Sequence, residues 1–168
     1  MSKKFIPVLI ILILGGLFVG FGVMGRSDKR NDDPKAKYQK ILRNVGIVLE
    51  QGHYNPKKID DKFSQEVLKK FEDDLDPDKY IFLQGDIDAF KKYENRIDDE
   101  IHGAPLESFY AITDVYLKRI DEVSDSYKEI LKKPFDFNRD ESLQTDGDKR
   151  NYPTSIAERN EYGRKRLK

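Results

Sequence analysis

Between Tyr38 and Leu131, apolar side chains recur every three or four residues in blocks cut by proline or glycine, and no stretch alternates with a period of two. That spacing gathers the apolar groups on one side of a helix and leaves the charged groups on the others. A chain patterned this way is confined to an all-α fold in which each helix hides one face. Asp33-Pro34 reads as an N-cap followed by proline at the first helical position. The first helix carries Tyr38, Ile41, Leu42, Val45, Val48 and Leu49, stops at Gly52, and is followed by a turn at Asn55-Pro56. Ile59, Phe63, Val67, Phe71 and Leu75 step by four through a second helix, which Asp76-Pro77 ends. Tyr80 to Leu83 is an apolar patch in a connection.

Asp86 can cap a third helix whose face is Ile87, Phe90, Ile97 and Ile101, broken by Gly103. Pro105 opens the longest helix, which runs to Leu131 and is closed by Pro134; Phe135 and Phe137 are expected to dock its end. Ser155-Ile156-Ala157-Glu158 fits a capping box for a last helix through Arg164. No cap and no helical partner follow Lys168, so this element reads as the start of something continued elsewhere. The sequence therefore predicts four to five helices: a helical domain over 34–137, a polar loop over 138–153, and an unfinished helix over 154–168 leading to a downstream region.

The apolar residues outside this pattern are concentrated at the N-terminus. Met1 to Lys4 is a short basic leader, and Phe5 to Met24 contains no charged residue, about the length that spans a bilayer. Residues 1–25 are either a retained signal anchor or a cleaved signal peptide, and 26–33 form a tether. Both readings export the polar part. Gly16 and Gly20 form the GxxxG spacing that lets two membrane helices approach closely.

Several function classes are excluded. There is no cysteine, hence no disulfide, thiol catalysis or Cys-ligated zinc. With Lys3 and Lys4 set aside, 29 basic residues face 31 acidic ones, which is not the basic surface that nucleic acid requires. Asp74, Asp76 and Asp78 alternate like the opening of a calcium loop, but Lys79 stands where that loop needs glycine and Gly85 where it needs a bidentate glutamate. Asp98, Asp99 and Glu100 are expected on a solvated helix face. His53 and His102 each sit beside a helix-ending glycine, where the negative end of the helix dipole suits them; two scattered histidines are weak evidence for a shared metal site. No Gly-x-Ser-x-Gly elbow or phosphate-cradling glycine loop is present. No catalytic residue, metal or cofactor is expected in this chain.

The order His53-Tyr54-Asn55-Pro56, Asp60-Asp61-Lys62-Phe63-Ser64 and the run from Leu75 to Phe90, continuing through Phe109-Tyr110, Pro134-Phe135-Asp136-Phe137 and Tyr162 to Lys168, resembles the N-terminal domain of tail-specific proteases. Tryptophan is usual in that family where this chain has Tyr162. The resemblance implies a bacterial periplasmic protein, anchored in the inner membrane if residues 5–24 are retained, in which a PDZ-like domain and a protease domain with a serine–lysine dyad follow. None of the matching residues is catalytic. Two readings follow: the non-catalytic N-terminal domain of such an endopeptidase, contacting its downstream domains, substrate or an adaptor, or a stand-alone membrane-tethered module that binds a protein partner. Aromatics favour binding surfaces. Tyr80 and Phe82, between Pro77 and Gly85, are the candidates for that surface; their other reading is as core residues.

Overall fold

The computed structural model describes residues 33–168. Phe5 to Met24, with Gly16 and Gly20, lies outside the described residues. Among the described residues there are six α-helices and no strand, and no helix is long and apolar enough to cross a membrane. Residues 38–168 form one compact unit.

Helix α1, Pro34–Ile47, starts as its sequence dictates: Pro34 takes the first position, and the Asp33 carboxylate accepts the Lys35 amide hydrogen at 3.0 Å. It widens into one π-helical turn, Val48–Gly52. Helix α2, Asp61–Leu75, is capped by Asp60, whose carboxylate accepts from the Phe63 amide at 3.2 Å. Its outer face is laced with i,i+4 pairs, Lys69–Asp73 and Lys70–Asp74. Leu68 and Ser64 point inward.

The third predicted helix is divided. Helix α3 covers Gln84–Phe90, a 3₁₀ turn covers Lys91–Tyr93, and helix α4 covers Ile97–His102. The break has a tertiary cause. The Ile97 amide donates to the buried hydroxyl of Ser64 on α2 at 2.9 Å, so it is not available for an unbroken i→i−4 ladder. Asp86 does cap α3, from inside its first turn, by accepting the Leu83 amide hydrogen at 2.9 Å. Gly103 closes α4 with φ of +119°, a conformation that suits glycine alone.

Helix α5 begins at Ser108, three residues later than Pro105 suggests, and ends at Ile130. Its first turn is capped by a residue of the preceding helix α4. The Glu100 carboxylate accepts from the Glu107 amide (3.1 Å), the Ser108 amide (2.8 Å) and the Ser108 hydroxyl (2.5 Å). Glu100 is 1% exposed. This corrects the solvated-face reading of Asp98 to Glu100: a neighbouring helix end gives one of the three acids donors to bind, and it turns inward. Phe137 is also corrected. It is 72% exposed and does not dock the end of α5, although its ring stands against that of Phe135 at 6.2 Å. Helix α6, Ile156–Leu167, is capped by Ser155, which accepts from the Glu158 amide at 3.2 Å. The return half of that box goes one residue further back, with Glu158 accepting from the Thr154 amide and hydroxyl, each at 2.8 Å.

The core is built from Ile59 just before α2 and from Leu68, Phe82, Phe90, Tyr93, Ile97, Ile101 and Ile112, drawn from α2 to α5 and their connections. Burial of such side chains contributes about 1.5–3 kcal/mol each.

Candidate functional site

The connection from Asp76 to Leu83 is the hub on which the C-terminal third of the chain is assembled. Asp76 is buried, and its carboxylate accepts three consecutive amide hydrogens, from Tyr80 (2.7 Å), Ile81 (2.8 Å) and Phe82 (2.9 Å). Burial pushes its pKa up, and the three amides pull against that rise. Lys79 enters the left-handed region, φ of +48°, to close the turn. The acid that resembled a calcium ligand therefore serves its own backbone.

The surface reading of Tyr80 and Phe82 is corrected by the same geometry. They are 5% and 0% exposed. The amides that Asp76 collects pull the connection inward instead of holding it out between Pro77 and Gly85. Phe82 meets Phe90 edge-on at 5.4 Å and Tyr116 at 5.9 Å. Tyr80 lies between Tyr127 on α5, at 5.9 Å, and Tyr162 on α6, at 5.4 Å. A side chain at Gly163 would put its Cβ 2.3 Å from the Tyr80 hydroxyl oxygen. The absence of one there is what lets α6 lie against the hub.

The polar loop closes over the other side. Lys79 donates to the Arg150 carbonyl at 2.8 Å, Arg150 to the Asp78 carbonyl at 2.6 Å, and the Gln84 amide to the Pro153 carbonyl at 2.9 Å. The Arg150 guanidinium stacks on Tyr162, 3.3 Å from the ring centroid. A Cβ at Gly147 would fall 2.0 Å from the Pro77 carbonyl oxygen, so the loop backbone touches the hub directly.

A chain of ion pairs joins α3, α5 and α6 beneath this surface. Arg119 grips both oxygens of Asp86 (2.8 and 2.9 Å) and also reaches Glu122 at 2.8 Å. Arg159, 1% exposed, donates to Glu122 at 3.0 Å and to the Ile81 carbonyl at 3.1 Å. Burial alone would raise Asp86 and Glu122, but the guanidinium groups outweigh it and hold both below the usual carboxylate range. At the end of α6, Arg164 and Lys168 bind Glu141 and hold its pKa at about 2.

Above Arg159 lies a groove of about 740 Å³ between the second half of α5, the turn around Pro134 and α6. Ile130, Phe135 and Ile156 supply its apolar lining. Three buried atoms of its wall residues have no hydrogen-bond partner: Ser126 Oγ, Asn160 Oδ1 and Arg159 Nε. Native proteins leave few such atoms unanswered.

Other candidate groups act locally. His102 meets Glu50 at 3.1 Å, and His53 turns onto the Asn55 carbonyl at 2.8 Å. Among the described residues no group of three or more His, Cys, Asp and Glu could hold a metal ion. The Ser64 hydroxyl accepts from a backbone amide, that of Ser108 donates to a carboxylate, and that of Ser155 accepts from an amide.

Residues 47–168 match the family model described as the tail specific protease N-terminal domain. The chain belongs to the tail-specific protease family. A relative from Haemophilus influenzae named tail-specific protease is 31% identical over 121 residues, covering 71% of this chain but 17% of the relative. The chain thus spans less than a fifth of that relative's length. In this tail-specific protease domain the matched region takes in the hub, the ion-pair chain and the groove. The sequence brought out the hub's motif but not its roles. Glu100 and Arg159 gave no signal by spacing, since their partners lie on other elements, and the spacing of Asp76 pointed to a calcium loop instead of to the amides of its own turn.

Proposed function

We propose that the chain is the non-catalytic N-terminal domain of an exported tail-specific serine endopeptidase, and that peptide-bond cleavage belongs to parts of the protein beyond it. One observation carries this reading: the similarity runs through an N-terminal-domain model and a small fraction of a much longer protease. The domain's work is to hold surfaces for the downstream PDZ-like and protease domains and for a substrate or adaptor. The groove along α5 and α6 suits that work, because it joins an apolar lining to charged residues such as Asp125, Glu129, Lys133 and Arg139. The polar part lies in the bacterial periplasm, with residues 5–24 in the inner membrane. Domain boundaries at 25, 33, 137 and 153 belong to the same proposal, as does close packing of two membrane helices through Gly16 and Gly20.

The test is the size of the natural product. An antibody raised against residues 38–168 should detect, in extracts of the source cells, a polypeptide several times larger than this 19.6 kDa chain. A product of 19.6 kDa alone would sink the reading and favour the stand-alone, membrane-tethered interaction module. Resistance of the same region to protease added to spheroplasts would contradict the periplasmic placement.

A further inference from the structure

Helix α1 buries only part of its apolar surface. Leu42 and Leu49 pack on the core and Gly46 is buried, while Tyr38, Ile41 and Val45 are 51%, 47% and 47% exposed. At 3.6 residues per turn these three lie along one edge, beside the buried line. The edge continues across a groove of about 340 Å³ to Phe71, Leu106 and the half-open ring of Phe109. The helix carries Lys35, Lys37, Lys40 and Arg43 and no acidic residue. An exposed apolar stripe on a helix charged with one sign, and that sign positive, is the pattern of a helix lying in the interface of an anionic bilayer.

We infer that this edge of α1 rests on the surface of an anionic phospholipid bilayer, with Tyr38, Ile41 and Val45 in the acyl boundary and the neighbouring cations at the phosphates. The inference rests on the reading of Phe5 to Met24 as a membrane segment. Ten residue steps separate Met24 from Pro34, and at most about 3.5 Å per step they span about 35 Å. The helix cannot leave the neighbourhood of a bilayer that holds the apolar run. Charge decides between lipid and a protein cover: a basic helix gains at an anionic surface, by about fivefold in affinity for each lysine or arginine.

The chain has no cysteine, so a single one can be introduced and labelled. The full chain is reconstituted in vesicles of phosphatidylglycerol and phosphatidylcholine, with an environment-sensitive fluorophore at Ile41→Cys or Val45→Cys. A control label sits at Leu131→Cys, 61% exposed and about 33 Å along α5 from Phe109. The labels at 41 and 45 should brighten several-fold and be quenched by lipids carrying a spin label near the acyl boundary, and the control should do neither. High salt or purely neutral lipid should weaken the effect. A label at 41 that stays in water overturns the inference, and so does one that is shielded yet unquenched, since protein then covers it. Flotation separates the two readings. A chain that fails to float with the vesicles overturns the membrane segment and this inference together; one that floats with an aqueous label overturns only the inference.

Discussion

Replacing Glu100 by alanine removes the acceptor for three donors at the start of α5. The Ser108 amide and hydroxyl are buried, so water cannot replace the carboxylate without the chain opening. Loss of an N-terminal cap costs about 1 kcal/mol, and each buried donor left without an acceptor costs about 1–3 kcal/mol. The sum is at least about 3 kcal/mol, which in a unit of this size lowers Tm by roughly 10 °C or more. Glu100→Gln keeps one acceptor oxygen and loses the charge assistance, a cost of about 1 kcal/mol. Asp99→Ala, one residue away on an exposed position, should change stability by less than about 0.5 kcal/mol. Urea unfolding followed by circular dichroism gives all three values. The reasoning fails if Glu100→Ala and Asp99→Ala unfold at the same urea concentration.

Three further outcomes follow from the structure. Burial raises the half-buried Glu72 carboxyl to about 7 from an ordinary 4.5; between those values the unfolded chain ionises while the folded one keeps its proton, so stability is full below 4.5 and falls as pH rises through 7. Glu72→Gln should therefore match the parent at pH 4 and exceed it by about 1 kcal/mol at pH 8, after solvent screening, as urea midpoints across pH will show. Arg159→Ala removes the side-chain donor to the Ile81 carbonyl and leaves Glu122 with Arg119 alone, and should destabilise by about 1–3 kcal/mol, read by the same unfolding curve. Gly147→Ala must push the loop backbone off Pro77, and amide hydrogen exchange should quicken around Gln84, whose amide donates to Pro153, with smaller changes in α2.

Most helices were legible because they carry their own starts, stops and faces. Asp33-Pro34, Asp60 and Ser155 cap locally, and Gly103 ends α4 by itself. What was not legible depends on groups that meet only once the chain has folded. Ser64 takes the Ile97 amide across 33 residues and divides a segment whose periodicity reads as one helix. Glu100 looks like one of three surface acids until the end of α5 arrives beside it. Tyr80 and Phe82 read as surface candidates because proline and glycine flank them, yet Asp76 draws their amides in and the rings follow. The ion-pair chain likewise needs three helices in place before Arg159 has a partner.

The central proposal is that this domain has no catalytic activity of its own and belongs to a protease that does. The direct measurement incubates the purified full chain with peptides ending in apolar residues and follows cleavage by mass spectrometry, beside the larger product captured from the source cells with the antibody to residues 38–168. Cleavage by the captured product and none by the chain is the expected result, because the chain matches an N-terminal-domain model and only 17% of the length of its protease relative. Turnover by the chain that survives repurification and disappears when a single serine is replaced would contradict the account.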